Sequence, residues 1–523
     1  MIFTFEGNET GNIFDDNAPL EDPMQQRKPV TALLLLILLL AALLPLHPAF
    51  AGSLDSSTSP TAPQAPDVDN AYQNGNRPLF LPLVSRRTGG QVGNYLAGLR
   101  VNAPYFQDSF NFGEAAIFWF GSVTDIENYA DVRVGYTSRE LVIHVAVIDK
   151  YLWYQRRAQP QDFVNWDAVS VFLNLNGSQG GSLDGNSYRF DAMLNWDEAD
   201  PDYQAAYRGQ SGSWSQVSIP FTAQTNWRGQ APNDNAKADS GWTMRLAVPF
   251  SSLGVSGPPA KGTVWGLALK VHDRDNKDDG PLTAQVWPPA FQETVPASWG
   301  QLAFGLPEFQ VVNARPGGTV KIRHGSNGAR VVDAMVGGGT NCGDHLRWGE
   351  WGWRNWAGTK EINIQNQGDL ADWLCFSKYY VTFPLDSVPP GKVLISAKVT
   401  LYQFGNAGGG QWGDPPDSVI QVLTAAAGWD EHTINWNNAP LAGENISMTR
   451  VQGLKNQPPW PGVARTWDVS VAAAQAYANG QSLNLVFYSA DAPRHTGKYF
   501  VSSDAADWNQ TGRPTLEIVW GEP

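Results

Sequence analysis

Asp131-Val132-Arg133-Val134-Gly135-Tyr136, followed by Leu141-Val142-Ile143-His144-Val145-Ala146-Val147, decides the fold class of this chain. The first run alternates apolar and other residues, as a strand with one buried face does. The second is almost continuously apolar and rich in Val, as a strand covered on both faces would be. The same grammar recurs at Ala168–Leu173, Tyr188–Leu194, Gly241–Val248 and Val264–Val271, each run bounded by Gly, Asn, Asp or Pro. Short runs punctuated by turn residues at this density predict an antiparallel β-sandwich over residues 93–306.

Pro307 to Gly318 loses the period and carries Pro and Gly, so 307–330 reads as a linker. Strand runs resume at Tyr379–Leu385, Ile395–Tyr402, Ser418–Leu423, Ser482–Tyr488 and Pro514–Trp520. Val469–Ala478, Ala-rich and stopped by Gly480, reads as a single helix. Residues 331–523 are thus a second sandwich of jelly-roll type. The expected architecture is all-β, with two antiparallel β-sandwich domains in tandem.

The N-terminal region reads differently. Ala32–Leu44 is an unbroken Ala/Leu/Ile run, preceded by Arg27 and Lys28 and followed by Ala49-Phe50-Ala51. That is the pattern of a secretory signal peptide, and the run is shorter than the roughly 20 residues that span a bilayer. Residues 1–51 are therefore expected to be an N-terminal extension plus signal peptide, with Met24 a better start than Met1. The Ser-, Pro- and Asp-rich stretch that opens the segment 52–92 reads as a disordered linker. The protein is expected to be secreted, with no stable membrane insertion after cleavage.

Only Cys342 and Cys375 are available for pairing. In an oxidising compartment they read as a disulfide, the other option being two buried thiols. Charged residues make up 16% of the chain and its net charge is −14, a sign that disfavours nucleic acid as a partner. Its 22 tryptophans ask for an explanation. An indole face suits the C–H surface of a sugar, yet tryptophan also fills β cores.

The order of the first-domain motifs carries a resemblance. Val147-Ile148-Asp149 ends one strand, Trp166-Asp167 opens the next, and Phe190-Asp191 and Met244–Gly254 follow. His272-Asp273 and Trp299-Gly300-Gln301-Leu302 close the series. This resembles the family 9 carbohydrate-binding modules and the wider DOMON-like sandwich group. The resemblance implies a sugar held between two tryptophans and calcium ions bracing loops. Trp166 falls at the first clamp position and Trp287 in the closing region, each open to the alternative of core packing. Asp273, Asp275, Asn276 and Asp279 crowd one loop, with Asp278 among them, and are candidate calcium ligands, the alternative being a solvated acidic turn. Some DOMON-like domains hold haem, for which Met193, Met244, His144 and His272 would serve; with no c-type attachment motif, haem ranks below sugar.

In the second domain, Trp429-Asp430-Glu431-His432-Thr433-Ile434-Asn435-Trp436-Asn437-Asn438-Ala439-Pro440 stands first. Trp467-Asp468-Val469, Ser502-Ser503-Asp504 and Arg513-Pro514-Thr515-Leu516 follow it. The series resembles DNRLRE-type domains, which overlap with family 96 carbohydrate-binding modules, over about Val331 to Trp520. Such domains are not catalytic, and some take acidic glycans. The Trp429–Pro440 run itself reads as scaffold, because its Asn and Pro residues suit a tight loop. Better ligand candidates are Arg347, Trp348, Trp353 and Arg354, near the cysteine pair, and Arg494 with Lys498, since guanidinium groups beside flat aromatics suit uronic or sulfated sugars. A Trp-rich satellite core is the alternative there.

No G-x-S-x-G, H-E-x-x-H or P-loop pattern is present. The sequence therefore points to a secreted, non-catalytic protein that binds a polysaccharide or oligosaccharide. An adhesive or structural surface protein is the second reading.

Overall fold

The computed structural model describes residues 99–523 apart from 196–202, 311–313 and 344. The predicted signal peptide and the linker 52–92 lie outside the described residues. Among the described residues no helix is long and apolar enough to cross a membrane.

The fold is all-β and antiparallel in nearly every pairing. In the first half, a five-stranded sheet runs in the order Ala116–Gly121, Tyr129–Tyr136, Glu140–Ile148, Gly241–Pro249, Thr222–Arg228. Tyr129–Tyr136 and Glu140–Ile148 are buried at nearly every position, because one face meets the facing sheet and the other meets the second half of the chain. The facing sheet includes Gly300–Phe304, Val264–His272, Ala168–Asn174 and Ser187–Met193. Val132, Val145, Leu246, Val171 and Leu269, each under 1% exposed, belong to the core. In the second half, Val332–Gly337, Ser377–Phe383, Leu483–Ser489, Ser418–Ala425 and Ala442–Val451 face a six-stranded sheet that includes Thr515–Glu522, Val393–Asn406 and Lys498–Val501. The predicted helix is present at Ser470–Ala478.

One segment expected as linker is a strand. Arg315–Arg323 pairs antiparallel with Thr515–Glu522. Its Gly317 and Gly318 hid the β pattern, and both are needed where they stand. A Cβ on either would come within 2.3 or 2.8 Å of the Trp520 ring that lies across them.

The two halves share a sheet. Arg100–Ala103 pairs in parallel with Gly300–Phe304 of the first half and, at Arg100, with Glu444 of the second, making one sheet of 13 strands. Asn102 and Asn445 lock this junction reciprocally. The Asn102 N–H donates to Asn445 Oδ1 at 2.7 Å, and Asn445 Nδ2 donates to the Asn102 carbonyl at 3.0 Å.

A second junction is polar and fully buried. Arg133 donates to the carbonyls of Ala490 and Gln367, both at 2.9 Å. Asp131 accepts from the hydroxyls of Tyr129 at 2.6 Å and Tyr488 at 2.8 Å. Lys378 Nζ sits among aromatic rings, 3.6 Å from the centroid of Trp436, 4.2 Å from Trp119 and 4.6 Å from Tyr129. Burial drives its ammonium well below the usual lysine range, with Asp131 opposing the shift. The quadrupoles of the surrounding rings offset part of that desolvation.

Candidate functional site

Strand ends, rather than a loop, build the most unusual cluster in the first half. Asp149 follows Glu140–Ile148, Asp167 precedes Ala168–Asn174, and Asp273 follows Val264–His272. Ala168 and His272 are paired residues, so Asp167 and Asp273 emerge side by side, while Asp149 reaches them from the facing sheet. Each of the three offers a carboxylate oxygen, all within 4.8 Å of one another. They are 1%, 0% and 2% exposed.

Backbone N–H groups hold two of them in place. Asp167 accepts from Trp153 at 2.6 Å and from Arg274 at 3.0 Å. Asp149 accepts from Tyr151 at 3.1 Å and from the Trp242 indole at 3.2 Å. Asp273 Oδ1 has no hydrogen-bond partner among the described residues. Burial, then neighbouring carboxylates, push Asp149 and Asp167 well above the usual carboxylate range. Burial and Asp275 push Asp273 up to about 8. Three buried carboxylates with an orphaned oxygen fit a hard cation such as Ca²⁺, which takes oxygen ligands and removes the mutual repulsion.

The expected calcium ligands were Asp273, Asp275, Asn276 and Asp279. Only Asp273 belongs to the cluster. Asp275 is near enough to raise Asp273 and is itself raised to about 6 by burial. Asn276 and Asp279 form a local turn: Asn276 Oδ1 accepts the N–H groups of Asp278 at 2.8 Å and Asp279 at 2.7 Å, and its amide donates to Asp279. Asp149 and Asp167 were legible as strand-end motifs, but nothing local marked them as partners.

Trp166 stands next to this cluster, half-buried against the core. The Arg274 guanidinium lies 4.3 Å from its ring centroid and donates to the carbonyls of Asn165, Asn276 and Lys277. One indole face is therefore occupied by Arg274. Trp287 is 1% exposed, with Phe118 4.3 Å away and Gly300 directly beneath its ring. It is core, and the expected stacking role is corrected. The haem candidates are likewise packed inside. His144 Nε2 donates to the Gly368 carbonyl at 3.3 Å, His272 pairs with Ser170 at 2.9 Å, and Met193 and Met244 are buried.

In the second half Cys342 and Cys375 are bonded, with an S–S distance of 2.07 Å. The neighbouring loop divides into core and surface. Trp351 is buried and donates to Leu374, and Trp348 donates to Thr124 at 2.7 Å while packing on Trp373. Trp353 is 55% exposed, and Arg354 lies 4.9 Å from the ring centroid of Trp356. Arg347 is exposed and ion-paired with Glu350 at 2.9 Å. Arg494 is exposed beside Asp369 and Asp372. Lys498 is not a surface group: it is fully buried and donates to the carbonyls of Pro416 and Thr496. Burial holds it down at about 8, so its expected ligand role is corrected too. The Trp429–Pro440 run is scaffold, with Asn435 Oδ1 accepting from Asn437 and Asn438 at 3.1 Å and Asn437 bridging to Val123.

The family model of carbohydrate-binding module family 96 matches residues 347–518, inside the span of the second resemblance. Two solved structures align with part of this chain at low similarity. One is a family 9 carbohydrate-binding module from Caldicellulosiruptor kristjanssonii in complex with cellotriose, with 17% identity, 42% of this chain and 100% of that chain covered, and a TM-score of 0.29. The other is a family 9 module from the same organism in complex with glucose, with 15% identity, coverage of 41% and 99%, and a TM-score of 0.28. No curated relative matches the chain.

Proposed function

We propose that this chain is a secreted, non-catalytic protein that binds polysaccharide, with calcium bracing its first half. The observation that carries the reading is the match of residues 347–518 to carbohydrate-binding module family 96. The three clustered carboxylates suit support rather than hydrolysis. Glycoside cleavage needs two carboxyl groups flanking an accessible bond, and Asp149, Asp167 and Asp273 are closed off from solvent. Asp149, Asp167 and Asp273 would hold the calcium ion, fixing three strand ends beside Trp166.

Two surfaces are proposed to meet sugar: the Trp166 edge of the first half and the Trp353, Arg354 and Arg347 loop of the second. The test is native affinity electrophoresis of the whole chain through gels containing neutral or acidic polysaccharides. Retardation by at least one is expected. Retardation by none, with the protein folded and calcium present, would refute the reading in favour of an adhesive or structural role.

A further inference from the structure

The outer surface of the second half carries a run of aromatic rings that neither of these surfaces uses. Trp508 is 71% exposed and Trp460 53%. Their ring centroids are 5.2 Å apart and their planes perpendicular, at 90°. Phe404 lies 6.0 Å from Trp460, and Tyr499 lies 6.4 Å from Phe404. The four rings come from four separate segments: the strands Val393–Asn406 and Lys498–Val501, the loop preceding Val463–Asp468, and the turn Asp507–Gly512.

The backbone beneath them is built for close approach. Gly405 pairs with Tyr499, and a Cβ there would stand 3.2 Å from the Tyr499 ring, so glycine lets that ring lie over the strand. Gly462 has a φ of 109°, and its Cβ would reach 2.6 Å from the Gln403 carbonyl. The loop presenting Trp460 is thus pressed onto the strand that carries Phe404. Arg513, 6% exposed, ties down the Trp508 turn through the Ala505 carbonyl at 3.0 Å and Asp507 at 2.9 Å.

Two large indoles are held in water on anchored turns. Among the described residues neither indole N–H has a hydrogen-bond acceptor, so both can donate to a ligand. A strip of apolar faces with free N–H donors suits a pyranose chain, whose rings present C–H faces rimmed by hydroxyls. The exposed acids beside the strip are Asp507 before Trp508, ion-paired with the buried Arg513, and Glu361 on the strand paired with Lys498–Val501. Neither supplies the exposed cation that a uronic or sulfated chain calls for. All four rings lie within the matched residues 347–518.

We propose that Trp460 and Trp508, continued by Phe404 and Tyr499, form a stacking platform for a neutral polysaccharide, distinct from the Arg347–Arg354 loop. The proposal rests on the carbohydrate-binding reading above and gives it a site. The experiment uses the full chain and its W460A/W508A variant. Each runs through native gels containing hydroxyethylcellulose, laminarin, galactomannan or alginate.

Retardation of the wild type by a neutral polymer is expected, with at least a tenfold weaker apparent affinity in W460A/W508A and an unchanged melting temperature. Should the double variant unfold, hydroxyl-radical footprinting of the wild type takes its place, and neutral polymer should protect Trp460 and Trp508. Wild-type retardation that persists undiminished in W460A/W508A, or rings left unprotected, overturns the platform and leaves the carbohydrate reading standing. Retardation by alginate alone overturns the neutral specificity. A variant that changes the oligomeric state while leaving glycan retardation intact makes the strip a contact between copies. Retardation of the wild type by no polymer overturns the reading and the platform together.

Discussion

Substituting Asp273→Asn should uncouple the stability of this protein from calcium. A cation that binds only the folded state stabilises it by RT ln(1 + [L]/Kd), about 2.7 kcal/mol when calcium is at 100 times its Kd. Unfolding entropy near 60 °C is about 2.1 cal/mol/K per residue, or roughly 0.9 kcal/mol/K for a body of residues 99–523, so the melting temperature should rise by ~3 °C. Asp273 is the informative position because its Oδ1 has no hydrogen-bond partner to lose. An amide there removes one of the three carboxylates that would hold the cation. In chelator, the variant should therefore be no less stable than the wild type, and in calcium it should show no rise. Differential scanning calorimetry of both proteins, with EDTA and with millimolar calcium, reads all four values. A wild type whose melting temperature is the same in both buffers, or a variant that gains as much as the wild type, would refute the assignment.

Two further outcomes follow from burial. Trp287→Ala should cost about 3–5 kcal/mol in chemical denaturation, the range for emptying a large aromatic site in a core, and a variant of wild-type stability would contradict that placement. His144, opposite both Arg133 and Arg245 and donating to Gly368, is held neutral down to about 3 by burial first and then by Arg133. The unfolded imidazole takes up a proton below its ordinary 6.5 and the folded one does not. This group's contribution is therefore full above that value and declines by up to about 1.4 kcal/mol per unit as pH falls towards 3. In stability-against-pH curves, His144→Gln should be flatter than the wild type over that window; equal slopes would contradict the assignment.

Strands were legible where side-chain period alone decides them, as at Asp131–Tyr136 and Val264–Val271. Arg315–Arg323 was not, because Gly317 and Gly318 serve a tryptophan two hundred residues away in the chain rather than the strand's own pattern. The buried carboxylate cluster was hidden for a related reason. Asp273 to Asp279 crowd together in sequence, yet a local run of acids satisfies itself in a turn. Asp149, Asp167 and Asp273 meet only because two sheets bring three strand ends to one edge. Exposure was the least legible property. Trp287 and Lys498 have the residue types of a glycan site and lie in the interior, while Trp460 and Trp508, in segments with no motif of their own, stand in water.

The sheet that runs through both halves bears on how such a protein would measure its target. Tandem modules on a flexible tether find a second contact by search, at an effective concentration set by tether length. Here the Asn102–Asn445 lock and the shared strand Arg100–Ala103 replace the tether with a fixed span. A stiff polymer long enough to lie on both halves would gain avidity without ordering a linker, and a short oligosaccharide would gain none. On the polysaccharide-binding reading proposed above, the junction would act as a ruler, selecting glycans by persistence and length as well as by sugar.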